Sequence, residues 1–451
     1  MTDATRGPLT GVRVIVAGAG LSGLSAARDL EAAGAAVTIV EARDRAGGRV
    51  LTIRDGFAAG QHAEAGADLI DADQTSLLDL AKQLKLPMVR ILRAGWGFCG
   101  ENDRGRRTMR NAPRTFEEAG KRLRSEIADY ELAEKRWDSA IAARLARTSV
   151  STWLTSIDAN GGLAAGLRGL RGFFLADPED LSLLVLVDQF ASGDRPGEGR
   201  MFRIRGGNDR LPRALAGNLH GRFLINAVVR RIQRRENGVV VTINDRQTRR
   251  EIDGDYCVVT LPATTLRDVE FEPGLPDDQH RAFQTLGYGG ATRMALQFAK
   301  RFWRKAGRPS AFGTDLPTGA VWEANEEQRG RAGILTLLAG GRASRELQEV
   351  IATGGSQAVV DQLRWLGPPA ELINARVTTW EDDPWSRGGY AFFGPSFDPA
   401  LRSWLARPAG RVLFAGEHTS ERWQGYMNGA IESCKRAAAE VRALESGSRK
   451  S

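Results

Sequence analysis

Cysteine is scarce in this chain. The three present, Cys99, Cys257 and Cys434, lie far apart with no CxxC among them. That excludes a disulfide framework and a cysteine-rich zinc site, and it points to a reducing compartment. Histidine is nearly as rare, at four residues. No apolar run approaches the roughly 18 to 20 residues of a membrane helix; Leu181 to Val187 is typical of the longest. The start, Met1 to Pro8, is short and polar and holds no apolar core for secretion. A cytoplasmic location without membrane attachment is therefore expected. A block of one charge is missing too. Lys and Arg outnumber Asp and Glu by 63 to 55, but the cations, nearly all Arg, are scattered among acids. Without a basic stripe and interleaved aromatics, nucleic acid is not an expected partner.

What is present is material for a large core. The 451 residues, 42% hydrophobic, make about three domain-sized masses or two interleaved lobes. Val12 to Ala17 is a short β-branched run typical of a strand buried on both faces; Leu21 to Ala33 has helical spacing and ends at Gly34; Ala36 to Val40 reads as a second buried strand. Val12 to Glu41 is thus one βαβ unit. Further on, Phe116 to Leu154 reads as charged amphipathic helix. Leu224 to Asp245 and Glu251 to Leu261 alternate like antiparallel strands, and Gly290 to Phe298 is another strand. Arg411 to Ala415 is a buried strand and Gly425 to Leu444 a long helix, with a frayed tail from Glu445 to Ser451.

Gly18-Ala19-Gly20-Leu21-Ser22-Gly23 follows the first strand and opens the helix. In such a GxGxxG turn the first Gly makes the tight turn, the second lets backbone approach a pyrophosphate, and the third lets helix pack on strand. The helix N-terminus adds N–H groups and partial positive charge for phosphate. Glu41 ends the second strand, where an acid accepts hydrogen bonds from a ribose and would repel a 2′-phosphate. Ala42 and Arg43 then lead into Gly47-Gly48-Arg49, where paired glycines let backbone pass close to a ligand and Arg49 can reach a diphosphate.

This segment, with Ala63-Glu64-Ala65-Gly66-Ala67, resembles the FAD-binding start of the flavin-dependent amine oxidases, the monoamine oxidase and L-amino-acid oxidase superfamily. Phe414-Ala415-Gly416-Glu417-His418-Thr419-Ser420 and Trp423-Gln424-Gly425-Tyr426-Met427-Asn428 look like the same family's closing flavin motif. Physically, Glu417 can accept hydrogen bonds from a polyol, and the helix from Gly425 can face the flavin pyrimidine and stabilise negative charge there. Arg205-Gly206-Gly207-Asn208 and Val229-Arg230-Arg231-Ile232 match the middle section, where the position of Val229 touches adenine. The resemblance implies an α/β fold: a Rossmann-like FAD-binding domain, discontinuous in sequence (8–86, 201–275, 401–446), with a mixed sheet-plus-helices substrate domain (87–200, 276–400).

Trp380 to Tyr390 resembles the family loop in which an aromatic at the position of Tyr390, with another at Tyr426, flanks the substrate amine; Trp380 matches a position packed near the flavin. Two departures stand out. Where mitochondrial monoamine oxidases carry a flavin-bonded Cys, this chain has Gly389, so FAD is expected to be held non-covalently. Where many members place a Lys above flavin N5, alignment on Arg301-Phe302-Trp303-Arg304 puts Arg293, while Lys300 falls on the other face of a regular strand. Arg keeps charge and donors but cannot shuttle a proton at neutral pH, so Arg293 is expected to orient water or substrate. Asp68 and Asp71 could attract a cationic amine, or be ordinary solvated acids. The implied activity is oxidation of a primary or secondary amine to an imine by hydride transfer to N5, with O2 reoxidation giving H2O2. Alternatives are an L-amino-acid oxidase, a desaturase or dehydrogenase using another acceptor, or a flavin-binding protein without turnover. A homodimer is left open.

Overall fold

Five short, mostly apolar strands form a parallel sheet around Arg13–Ala17. Ala36–Val40 and then Arg222–Leu224 lie on one side of it, Tyr256–Val259 and then Val412–Phe414 on the other. The period of two sends Val14 and Val16 towards the helices Leu21–Ala32 and Met427–Ser448, and Ile15 and Ala17 towards the opposite face. That face is covered by a four-stranded sheet in the order Thr248–Gly254, Gly238–Asp245, Ala227–Arg235, Glu270–Glu272. The computed structural model describes residues 7–101, 107–159, 161–192, 199–246 and 248–448. Expectations for Met1 to Arg6 and for the tail beyond Ser448 fall outside them.

A second, seven-stranded mixed sheet runs Leu372–Thr379, Ala291–Phe298, Gly333–Gly340, Ala320–Glu323, Ala311–Thr314, Trp96–Glu101, Arg107–Asn111. Along Ala291–Phe298, alternation packs Met294, Leu296 and Phe298 with Leu347, Val359 and Val360 of the helix Arg342–Asp361. Arg293 is left for the opposite face. The architecture is α/β with a Rossmann-like sheet assembled from three stretches of sequence, beside a mixed sheet dressed by short helices.

Four sequence readings need correction. Tyr256–Val259 does not continue the antiparallel run; it crosses into the parallel sheet and pairs with the first strand. All four of its residues are buried, so it lacks a solvent face that alternation could report. The charged stretch from Phe116 to Leu154 is not one helix but parts of Ala112–Arg122, Arg124–Leu132, Ala140–Ala146 and Val150–Ser156. Positive φ at Glu134 and Lys135 stops one helix, and the side chains of Ser139 and Ser149 accept from Ala142 N and Thr152 N to start the next two. The last helix begins at Met427, since Gly425 has φ of 81°. It also runs on to Ser448 instead of fraying at Glu445, whose carboxylate accepts from the Tyr256 hydroxyl at 3.2 Å. Among the described residues no helix is long and apolar enough to cross a membrane.

Candidate functional site

In parallel α/β sheets ligands lie beyond the carboxyl ends of the strands. Here Gly18, Glu41, Thr260 and Gly416, each just past the end of a strand, open onto one cavity of about 1480 Å³. That exceeds the roughly 300–1,000 Å³ of an ordinary small-molecule pocket. From this end it continues to Arg293, Trp322 and Leu338 of the mixed sheet and to Tyr390 and Tyr426.

The glycine turn is shaped for a ligand. Gly18 has φ of 106°, and a Cβ at Gly23 would overlap the Gly18 carbonyl oxygen, so Gly23 lies behind the cavity wall and serves packing. At Gly20 a Cβ would meet nothing within 4 Å; that space belongs to the cavity. Gly20 is also the N-cap of Leu21–Ala32, and neither a side-chain cap nor a first-turn acid answers the free N–H groups. Leu21 and Ser22 line the cavity beside it. The Glu41 carboxylate accepts from Ala19 N at 2.7 Å and Arg43 N at 2.9 Å; burial raises its pKa, and the two N–H groups work against that rise. Ala42, Gly48, Gly66, Ala67, Val229, Gly416 and Met427 also face the cavity, Val229 at a strand irregularity before Arg231.

Three cations expected at ligand are already paired. Arg43 makes a bidentate bridge to Asp383, 2.6 Å on each arm, and reaches Ser386 at 2.9 Å. Arg49 meets Glu417 at 3.1 Å and the Gly389 carbonyl at 2.5 Å. Glu417 further accepts from Gly425 N at 2.8 Å and the Tyr288 hydroxyl at 3.1 Å. Arg293 donates to Asp68 and to Gly66 O, reaches Thr336 Oγ1 at 3.3 Å, and lies over the Trp322 ring at 5.0 Å. Asp68 is therefore no solvated acid waiting for an amine. It is buried and also binds Arg203 Nε at 2.6 Å and Trp322 Nε1 at 2.9 Å. Burial works against its charge, but Arg203 and Arg293 hold it below the usual carboxylate range. Asp71 lines the cavity and accepts from Gln74 Nε2 at 3.1 Å. Lys300 lies past the end of its strand in an exposed turn.

At the far end, Tyr390 donates from its hydroxyl to Phe173 O at 2.5 Å. Burial, then the neighbouring Tyr426, push its pKa well up, so the phenol stays protonated. Tyr426 is 41% exposed and packs edge-on against Trp423 at 5.5 Å. Between them a Cβ at Gly425 would sit 3.1 Å from the Tyr390 ring. Trp380 is buried behind, its Nε1 on Ala65 O at 2.9 Å. Sequence reasoning missed the aromatic wall: Trp96 meets Phe173 edge-on at 4.8 Å, and Phe173 stacks with Trp322 at 6.4 Å. All three line the cavity, and no motif flagged them.

With this geometry in hand, comparisons with known proteins agree on one family. The family model of flavin containing amine oxidoreductases matches residues 21–442. A Mycobacterium tuberculosis protein named as a flavin-containing monoamine oxidase, AofH, is 28% identical over 98% of this chain and 99% of its own. An L-amino acid oxidase of Bothrops pictus is 27% identical over 95% of this chain and 90% of its own. The structure of cyclohexylamine oxidase from Brevibacterium oxydans superposes with a TM-score of 0.83 at 25% identity, covering 96% of this chain and 99% of that one.

Proposed function

The chain belongs to the flavin-containing amine oxidoreductases, and from that membership we propose that it oxidises a primary or secondary amine, using non-covalently held FAD and O2. The observation that carries this reading is one unbroken cavity from the glycine turn to two phenols. Its size supports FAD, and Glu41 as ribose acceptor, Val229 as adenine contact, Gly20 at the uncapped helix and Tyr390 all line it. Non-covalent binding is supported by Gly389, where a Cβ would overlap the Leu175 side chain, and by the three cysteines, none of which lines the cavity. The same reading divides the chain into a flavin-binding body (8–86, 201–275, 401–446) and a substrate body (87–200, 276–400), a division that the five-, four- and seven-stranded sheets follow and that the small sheet of Ile70–Asp71, Met201–Ile204 and Met88–Ile91 crosses.

Bound flavin supplies a two-electron acceptor for the C–H next to nitrogen; the imine product is hydrolysed, and O2 carries the electrons away as H2O2. The protein's own part is binding and orientation. Tyr390, locked by Phe173 O, and Tyr426 form a slot whose ring faces attract an amine nitrogen. Asp68 and Glu417 at this end are both occupied by Arg, so neither is a free counter-ion for an ammonium entering the slot. The neutral amine is the form that fits. Trp96, Phe173 and Trp322 favour an apolar body on it. Arg293 retains two N–H groups beyond those on its partners and can orient water or substrate.

A second reading, an L-amino acid as substrate, has the Bothrops relative in its favour. A substrate carboxylate, however, would meet in Arg293 a guanidinium whose charge Asp68 already answers, with two N–H groups left to bind it. Anaerobic mixing with a panel of amines and amino acids, followed by flavin bleaching and then peroxide formation in air, decides between them. Bleaching by apolar amines is expected. Bleaching by amino acids alone refutes the amine reading, and bleaching by nothing leaves a flavin-binding protein without turnover.

A further inference from the structure

The buried charges around Arg293 form one connected set. Asp68 takes Arg203 on one oxygen and both Trp322 Nε1 and Arg293 on the other. Its side chain is 2% exposed and that of Arg203 1%. Arg203 is also bound to Glu327 at 3.2 Å and to the Ala324 carbonyl. Glu64 stands near the same acid, held by Thr52 Oγ1 at 2.7 Å and Asn208 N at 2.9 Å. Burial and then Asp68 push its pKa up to about 8, so at neutral pH it is mostly protonated. Two guanidinium groups then face two carboxylates, Asp68 and Glu327, and the set is close to neutral.

Arg293 is fixed as well as neutralised. Three of its five N–H groups are committed to Asp68, Gly66 O and Thr336, and its face rests on Trp322. Little freedom remains for it to swing towards a ligand. An unpaired guanidinium here would be a full positive charge in a dry cavity, where charge acts at long range. We propose that Asp68 is a positioning residue which, through Arg293, sets the reduction potential of the bound flavin. It cancels the guanidinium charge and fixes its orientation, so that the cavity meets oriented N–H donors instead of a free cation. This rests on the reading that the reactive edge of the flavin faces Arg293.

The test is the flavin midpoint potential of the purified holoprotein and two variants. Asp68→Asn keeps the shape and removes the charge, leaving Arg293 uncompensated. A bare cation favours the anionic reduced flavin. The oxidised–reduced equilibrium is expected to shift at least tenfold towards reduced, about 30 mV for a two-electron couple. In an Arg293→Met background the same change still removes one negative charge but releases no guanidinium, so its shift should be smaller. Arg293→Met alone leaves Asp68 and Glu327 facing Arg203 only, a net negative charge, and should shift the equilibrium towards oxidised; this arm stands even if Asp68→Asn does not fold. An unshifted potential in Arg293→Met shows that this guanidinium does not act on the flavin and overturns the proposal. So does an unshifted Asp68→Asn, or an equal shift with and without Arg293. A wild-type protein that takes up no flavin overturns the underlying reading and this inference together, whereas flavin bound with unshifted variants overturns this inference alone.

Discussion

Gly20 and Gly23 share one motif, yet the structure assigns them different work, and substituting each by Ala separates ligand binding from folding. At Gly20 the backbone is extended (φ −70°, ψ 179°), which any residue adopts, and a Cβ meets no protein atom within 4 Å. Gly20→Ala should therefore cost the apoprotein only the difference between a Gly and an Ala N-cap, roughly 0.5–1 kcal/mol. The methyl group would occupy the space through which a diphosphate approaches the helix N-terminus. Loss of that approach should weaken FAD at least tenfold, ~1.4 kcal/mol or more. At Gly23 the added carbon overlaps the Gly18 carbonyl, a backbone atom that cannot swing away. Overpacking of this kind costs about 3 kcal/mol. Ala is better than Gly inside a helix by about 1 kcal/mol, so some 2 kcal/mol of net destabilisation remains. Urea unfolding of the apoproteins and fluorescence titration with FAD measure the two quantities separately. If Gly20→Ala binds FAD as tightly as the wild type, the diphosphate does not lie on this turn and the assignment of the cavity fails.

Three further outcomes are expected. Tyr390→Phe loses the hydrogen bond to Phe173 O, and Tyr390→Leu also loses the aromatic face; kcat/KM for an apolar amine should fall at least tenfold in the Leu variant and less in the Phe variant, with the flavin spectrum retained, and equal activity in both would remove the slot from the mechanism. Acid precipitation should leave the yellow chromophore in the supernatant, and colour retained on the pellet would show a covalent link. Glu64, raised to about 8 in the folded state against about 4.3 unfolded, contributes stability that is full below the lower value and is lost as pH rises through the higher. Urea midpoints at pH 5 and pH 8.5 should accordingly differ more in the wild type than in Glu64→Gln, and parallel profiles would rule out a buried protonated Glu64.

Local sequence made the βαβ unit legible because every signal in it is short-range: Arg13–Ala17, the glycine turn, the helix and Ala36–Val40 lie where the pattern puts them. It misled where the deciding partner is remote. The alternation from Glu251 to Leu261 is real, but only the third dimension shows that Tyr256–Val259 is buried on both faces and joins another sheet. Asp68 has the local look of a solvated acid; the groups that make it a buried anchor lie 135, 225 and 254 residues away. Trp96, Phe173 and Trp322 carry no motif at all, since an aromatic lining a cavity and one filling a core look alike in sequence.

The paired cations also explain how three stretches of chain come to share one cavity. Arg43 and Arg49, from the first stretch, are bound to Asp383 and Glu417, 340 and 368 residues later, and Arg293 is bound to Asp68, 225 residues earlier. As stability alone such pairs are a poor choice, because desolvation offsets much of their attraction. Breaking one by removing a single partner is another matter, at about 3–5 kcal/mol, because a charge is left buried and alone. The pairs thus penalise any arrangement in which the segments fail to meet, while leaving the assembled cavity close to neutral. A neutral wall with oriented N–H groups at the helix N-terminus and at Arg293 can hold a dianionic cofactor at one end and admit an uncharged amine at the other. A row of free cations would have served the first purpose and defeated the second.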